Sequence, residues 1–251
     1  MADEDAPEVV VTKYTFLKAD SDEPIGAEDG LEEGQAPDDV WLRNTEAGED
    51  GEPCRARAEY PNGDVYVGEF DEAGNKHGRG VYTYHVPAVR EDPADPDSEI
   101  KVEATSYSYD GEWVDNERSG VGKMVYANGD TYHGQWEHGQ RHGQGSYVKA
   151  NGDMYSGSWS EGAKYGSGIY VYKKDGSQLV GKWVLNKFKQ GVWKLKDGTV
   201  YATEGTGRFV KNVPEGPGAF TFKNGNVQRG EFITKKGVAQ PVWKPLEDTA
   251  A

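Results

Sequence analysis

Histidine and carboxylate side chains, which can bind metals or transfer protons, and glycine-rich loops, which can bind phosphates, are the features of this 251-residue chain whose spacing could support chemistry. His133, His138 and His142 lie close enough in sequence to suggest a metal site. However, His77 and His142 each stand directly before a glycine at the same place in a repeated pattern, which favours a structural role. No Gly-x-Gly pair completes Gly-x-Gly-x-x-Gly, and no phosphate-binding loop motif occurs. We therefore expect no catalytic residue, no metal and no cofactor, so the protein is predicted not to be an enzyme.

The most regular feature of the sequence is the pentad Tyr-x-Gly-x-Trp. It recurs every 23 residues, at Trp113, Trp136 and Trp159, and each tryptophan is followed seven residues later by Gly-x-Gly. A fixed period of this length indicates that one supersecondary unit is copied and stacked. Weaker copies lie on both sides. The aromatic anchors of all the copies are Phe70, Trp113, Trp136, Trp159, Trp183, Phe209 and Phe232.

Each copy has the pattern of a β-hairpin. Tyr132, Gly134 and Trp136 alternate and so fall on one face of a strand. A polar loop then leads to a return strand over 143–148, and Asn-Gly-Asp at 151–153 predicts a tight turn. An isolated hairpin is marginally stable in water, so we expect stability to come from stacking of one copy on the next.

This pattern resembles the MORN repeat (membrane occupation and recognition nexus). The copy from Tyr132 carries Tyr-x-Gly-x-Trp-x-x-Gly-x-x-His-Gly-x-Gly nearly throughout, whereas Tyr165 and Ser119 replace the histidine in the neighbouring copies. The resemblance covers roughly 58–232. It implies an all-β fold, an elongated single-layer twisted antiparallel sheet of stacked MORN β-hairpins with flexible acidic extensions. It implies no single activity, because repeats of this kind are scaffolds in many settings.

Composition and charge divide the chain further. Residues 1–57 carry 17 acidic and 5 basic residues and are predicted to be a mostly irregular N-terminal extension. A β-branched stretch at 9–17 is predicted to form a strand that either caps the array or pairs with a partner. The repeat array is predicted at 58–237, with an acidic, proline-containing loop inserted at 86–108. That loop is either a solvated spacer or a docking segment. Residues 238–251 are predicted to be an extended C-terminal tail.

Charge and composition also exclude several classes of protein. The formal net charge is −15, and the longest basic runs are pairs of lysines, so neither nucleic-acid binding nor attraction to an anionic membrane is expected. No run of 18 apolar residues is present, which argues against membrane insertion. The single cysteine, Cys54, excludes an internal disulfide framework and suits a reducing cytoplasmic compartment.

Two classes of function remain, a cytoskeletal protein-interaction scaffold and a membrane-surface or phosphoinositide-associated scaffold outside the axoneme. The run of repeats with acidic extensions is similar to the MORN proteins of the ciliary and flagellar axoneme, particularly those of the radial spoke head. That resemblance implies a structural protein of the cytoplasm, cytoskeleton and axoneme whose partners are other axonemal or radial spoke proteins. Homodimerisation is left open.

The aromatic residues of the repeats supply the candidate binding site. Alternation places them on one face, and exposed aromatic surface usually marks an interaction site, so a partner-binding aromatic trough is one interpretation. Complete stacking of the rings on each other is the other. The residues concerned are Tyr109, Trp113, Tyr132, Trp136, Tyr155, Trp159 and Trp183.

Overall fold

The computed structural model describes residues 13–16, 54–85, 89–92, 95–101, 107–235 and 238–243. In this part of the chain all the regular secondary structure is β-strand, and no helix occurs. Two compact units are present, one formed by Met1–Asn128 with Glu137–Gly139 and the other by Gly129–Trp136 with Gln140–Ala251. The predicted fold class, an all-β antiparallel arrangement of stacked hairpins, is confirmed.

The first unit contains one open antiparallel sheet and one small separate hairpin. Its strands are β1 (Lys13–Phe16), β2 (Cys54–Glu59), β3 (Val65–Phe70), β4 (Lys76–Tyr84), β5 (Val89–Asp92), β6 (Asp95–Lys101), β7 (Tyr107–Val114) and β8 (Glu117–Val125). Pairing runs β1-β2-β3-β4-β7-β8, while β5 pairs with β6. Gly68, Gly80, Gly111 and Gly122 form one cross-strand row through this sheet.

The second unit is likewise an antiparallel meander. Its strands are β9 (Thr131–Glu137), β10 (Gln140–Val148), β11 (Met154–Ser160), β12 (Ala163–Val171), β13 (Gln178–Val184), β14 (Lys187–Lys194), β15 (Val200–Thr203), β16 (Arg208–Val210), β17 (Val213–Thr221), β18 (Val227–Lys235) and β19 (Val238–Trp243). Each strand from β9 to β14 pairs with the next, β17 pairs with both β15 and β16, and β18 and β19 complete the order.

The turns between hairpins are held by the aspartate of the Asn-Gly-Asp motif. Asp153 accepts a hydrogen bond from the hydroxyl of Tyr170 at 2.8 Å and another from the backbone N–H of Lys173 at 2.9 Å. These bonds lower the pKa of Asp153, outweighing the opposing effect of desolvation. Asp64 binds the Tyr82 hydroxyl in the same way at 2.8 Å. The motif therefore both forms its own turn and fastens the next one.

Each repeat tyrosine lies over a pair of glycines. Gly157 and Gly168 face each other across β11 and β12, and the ring of Tyr155 covers both. The Tyr155 hydroxyl donates to the backbone carbonyl of Ser158 at 2.9 Å. Glycine weakens a strand by itself, but here its missing side chain lets a large ring pack flat on the backbone. The ring belongs to the same repeat as the glycines.

The ends of the sheets differ from the predicted boundaries. β2 begins at Cys54, inside the segment predicted to be an irregular extension at 1–57, and β1 pairs with it from Lys13 to Phe16. The strand predicted at 9–17 is therefore present over 13–16, and it pairs within the chain, as the capping alternative predicted. It extends the sheet by one strand before the predicted start of the array at 58. The rest of the acidic extension, 1–12 and 17–53, lies outside the described residues, so its predicted irregularity stays a prediction.

The insertion and the tail also contain strands that were not predicted. Within 86–108, β5 and β6 form a hairpin, and Tyr107 already belongs to β7. In the predicted tail at 238–251, β19 pairs with β18 throughout its length. Pro241 obscured this strand in the sequence, because proline lacks a backbone N–H and is tolerated only where no ladder bond is required. Residues 86–88, 93–94, 102–106 and 244–251 lie outside the described part of the chain.

The packing of tyrosine on glycine predicts the effect of adding one methyl group. A Cβ at position 168 would lie 2.4 Å from the Tyr155 hydroxyl oxygen, so Gly168→Ala should lower the free energy of unfolding by about 1–3 kcal/mol. The destabilisation should be smaller in a Tyr155→Leu background, because the ring and hydroxyl that the new methyl group would meet are then absent. Leucine suits this position, since Leu179 occupies it in the next repeat. Urea denaturation of the four proteins gives the coupling energy. Equal costs in both backgrounds would contradict this packing.

Candidate functional site

The structure places the seven predicted site aromatics on the buried face of their strands. In β9, Tyr132 and Trp136 are buried while His133 and Gln135 between them are exposed, as alternation predicts. None of the seven is more than 5% exposed. The expectation of an exposed aromatic trough was therefore wrong about exposure, and partner binding through these rings stays a prediction. The seven residues are Tyr109, Trp113, Tyr132, Trp136, Tyr155, Trp159 and Trp183.

In the second unit the rings cover each other from repeat to repeat. Trp159 meets Tyr155 of its own repeat edge to face at 5.2 Å and Tyr132 of the preceding repeat at 5.3 Å. Tyr155 in turn meets Trp183 of the following repeat at 5.3 Å. The indole Nε1 of Trp159 donates to the Gly145 carbonyl at 3.1 Å. Edge-to-face contacts of this kind add about 0.5–1.5 kcal/mol each beyond the area that they bury.

The first unit repeats this arrangement. Trp113 packs edge to face on Tyr109 at 5.1 Å and on Tyr66 of the preceding repeat at 5.4 Å. Its Nε1 donates to the Gly80 carbonyl at 3.1 Å. Trp113 and Trp159 are thus each held by the tyrosine of their own repeat, the tyrosine of the repeat before it, and a backbone carbonyl. The rings serve the stacking of repeats, which explains why no large aromatic surface is left open among them.

A basic side chain packs on the aromatic cluster of several repeats. Lys164 Nζ lies 4.8–5.3 Å from the ring centroids of Tyr155, Tyr170 and Trp183. The Arg141 guanidinium lies 4.6 Å from the Trp159 ring and donates to a loop carbonyl. These distances are those of cation–π contacts, which the negative faces of the rings make favourable.

The cations were missed in the sequence, although their signal was present. Arg118, Arg141 and Lys164 stand five residues after successive tryptophans and so share the 23-residue period. At the same place after Trp183 the chain has Phe188, which packs on that tryptophan at 5.2 Å. Lys76, six residues after Phe70, closes the first cluster of the first unit. A search restricted to aromatic and glycine positions does not reveal these basic residues.

Burial changes the titration of the groups on this face. Desolvation lowers the pKa of Lys164 to about 8, and the like charges of Lys149 and Arg141 act in the same direction. Desolvation alone lowers the pKa of Lys76 to about 8. Burial also raises the pKa of Tyr155 to about 12. These perturbed groups are engaged with rings and backbone carbonyls, so their shifts follow from structural packing.

Potential metal ligands come together at one place in the first unit. Ligand atoms of Asp71, His77 and Asp115 lie within 4.8 Å of one another. Asp71 already accepts hydrogen bonds from the backbone N–H groups of Ala73 and Asn75 in its own turn. This turn accounts for the position of the carboxylate, and we assign no metal to it. Of the histidines considered in the sequence, His138 faces Glu117 at 3.2 Å on the surface.

Antiparallel hairpins that stack through a recurring pattern of tyrosine, glycine, tryptophan and a cation define a β-repeat protein. The sequence profile of the MORN repeat matches this chain at 66–85, 109–131, 132–154, 155–177 and 206–227. The chain therefore belongs to the MORN-repeat proteins. The segment 178–205, between the fourth and fifth matches, forms part of the same sheet of the second unit without matching the profile.

Other comparisons add little to this assignment. The chain has no significant match among curated proteins. Among solved structures it is similar to a mutant of the TCP10 domain of Danio rerio CPAP, at 13% sequence identity over 78% of this chain and 89% of that one. The TM-score is 0.27, so this likeness carries no argument. No helix in the described residues is long and apolar enough to cross a membrane.

The pKa of Lys164 predicts a specific dependence of stability on pH. Between pH 8 and the ordinary lysine pKa of about 10.4, the unfolded chain holds a proton that folded Lys164 has lost, so stability rises with pH. Lys164→Met, which keeps the length of the stem, should reduce that rise by about 1–2 kcal/mol. Chemical denaturation at pH 7.5 to about 10 measures the difference. The exposed Lys187→Met is the control and should follow the wild-type profile.

Proposed function

We propose that this protein is a non-enzymatic scaffold of the ciliary or flagellar axoneme, where it joins other proteins of the radial spoke head. The observation that supports the scaffold assignment is that the groups with shifted pKa values are packed between neighbouring repeats. Lys76, Lys164 and Tyr155 all contact rings or backbone within the array. Their packing against rings and backbone of the repeats is sufficient to account for their shifted pKa values, which supports a structural role for them.

The repeat architecture suits a scaffold for a physical reason. Each unit is built from nearest-neighbour contacts, so additional hairpins lengthen the surface without altering the packing of the others. The second unit, for example, continues past Thr221 by two further paired strands, β18 and β19. A protein of this kind presents many similar positions at fixed spacing, which is what an assembly with several partners needs.

The axonemal location rests on the resemblance of the sequence. Several MORN units together with acidic segments are a combination similar to the radial spoke head proteins. The acidic extension, with 17 acidic and 5 basic residues in 1–57, supports selection of partners with basic surfaces. The partners proposed are other axonemal proteins, and the compartment is the cytoplasm and its ciliary cytoskeleton.

Location in a ciliated cell tests this proposal directly. The full chain, expressed with a fluorescent tag from its own promoter, should label the cilium along its length and remain with the axoneme after the membrane is removed by detergent. The tag alone, expressed at the same level, is the control and should be washed out. Proximity labelling from the tagged chain should enrich spoke proteins over other axonemal proteins. A rim at the plasma membrane that detergent removes would instead support a membrane-surface scaffold and overturn the axonemal proposal.

A further inference from the structure

The outer face of the second unit carries a concentration of basic residues that the whole-chain charge conceals. Strands β13 and β14 contain four lysines and no acidic residue. All four lysines are exposed: Lys182, Lys187, Lys189 and Lys194. The chain as a whole has a net charge of −15, so this hairpin is a local exception of opposite sign.

Apolar side chains form a stripe between these lysines. Ile169, Val180, Val192 and Ala202 are neighbours in the cross-strand register of β12, β13, β14 and β15. Their strand neighbours Leu179 and Trp183 are buried, so alternation places the stripe on the opposite, outer face. Ile169 is 40% exposed and the other three are partly exposed.

The lysines flank the stripe on both sides. Lys182 follows Val180 by two residues on β13, and Lys194 follows Val192 by two residues on the antiparallel β14. Two residues along a strand span about 7 Å, so one lysine side chain lies on each side of the apolar row. We call this surface, made of the four stripe residues with Lys182 and Lys194, the basic-apolar stripe.

The repeat fold does not require these residues. In two of the matched repeats, the position equivalent to Lys182 is Glu112 or Gln135, whose side-chain oxygen accepts a hydrogen bond from a backbone N–H of the return strand. A lysine has no acceptor and cannot make this bond. The stripe lies mainly in 178–205, the segment that the MORN profile does not match. Lys182 therefore does not have the structural role that Glu112 and Gln135 have at this position.

The positive charge of the stripe is not neutralised by the surrounding sheet. Arg208 pairs with Glu215, and Arg229 pairs with Glu204. Within the described part of the chain, Lys182 and Lys194 form no such ion pair. An apolar row with uncompensated charge on both sides is complementary to a ligand with an apolar ridge and acidic flanks.

We propose that the basic-apolar stripe binds an acidic amphipathic helix of a partner protein. Four adjacent strands, at 4.7–4.9 Å between neighbours, give the stripe a length of about 14 Å. That length matches about two and a half turns of helix, over which apolar residues at i, i+3 or i+4, and i+7 form one ridge. Glutamates beside that ridge then reach Lys182 on one side and Lys194 on the other.

The same features disfavour other anionic ligands. A single-stranded nucleic acid requires aromatic faces for base stacking, whereas the four stripe residues are aliphatic. An anionic membrane repels a chain with 43 acidic and 28 basic residues. A helix is less affected by this long-range repulsion, because its glutamates would pair at short range with Lys182 and Lys194.

Binding of a defined peptide to the full chain tests the proposal without reference to the location of the protein in the cell. The probe is a fluorescein-labelled helical peptide of about 18 residues with leucines on one face and glutamates on both sides of them. Fluorescence anisotropy gives the Kd at low and at high salt. We expect saturable binding that weakens with salt, and at least about tenfold weaker binding of a scrambled peptide of the same composition.

Paired charge reversals locate the binding site. Lys182→Glu with Lys194→Glu should weaken binding at least about tenfold, because both flanks become repulsive. Lys196→Glu with Lys223→Glu changes the net charge equally at exposed turn residues and should alter the Kd by less than about twofold. Val180→Ser with Val192→Ser removes apolar area without altering charge and should also weaken binding. Circular dichroism confirms that each variant is folded.

Three results would overturn the proposal. One is the absence of peptide binding to the wild-type chain. Another is equal weakening by both pairs of charge reversals, which would show that only net charge matters. The third is binding to phosphatidylserine-containing vesicles, and not to the peptide, that is lost in the Lys182 and Lys194 variant. None of these results bears on axonemal location, so the two proposals fail independently.

Discussion

The packing of each repeat tyrosine on a pair of glycines is the interaction on which the rest of this structure depends. A sheet one layer thick has no second layer to bury its side chains, so its apolar contacts must be made within the layer. Gly157 and Gly168 let the Tyr155 ring lie on the backbone, and the following tryptophan closes against that ring. The glycine rows of the strands and the tyrosines and tryptophans of the repeat pentads follow from this requirement.

The basic residues on the buried face complete the same packing. Lys164 loses hydration where it lies, as its lowered pKa shows, but three ring faces attract its ammonium group. Its long stem also covers apolar surface that would otherwise be open to water. Phe188 fills the equivalent place with an apolar ring. The place therefore demands a side chain of sufficient reach, and charge there is one of two workable solutions.

Because stacking occupies the inner face, variation is tolerated on the outer one. Outward positions of the sheet must only suit a strand, so they accept serine, valine or lysine at little structural cost. Ser156, Ile169, Val180 and Val192 fall in one row and change from polar to apolar along it. In such a repeat protein the shared motif preserves the fold, while specificity arises where the outward residues depart from it.

The sequence by itself determined the hairpin period, the turns at Asn-Gly-Asp and the face on which each aromatic lies, because these depend on local alternation and backbone preference. It did not determine how far Trp159 is covered. That depends on Tyr132 of the preceding repeat and on Arg141, which only cross-strand pairing brings together. The strand β19 was likewise decided by tertiary structure, whereas β1 lies in a stretch whose β-branched residues already predicted a strand. A short segment without the repeat motif becomes a strand when the backbone groups of an adjacent edge offer it hydrogen bonds, and no local pattern records that edge.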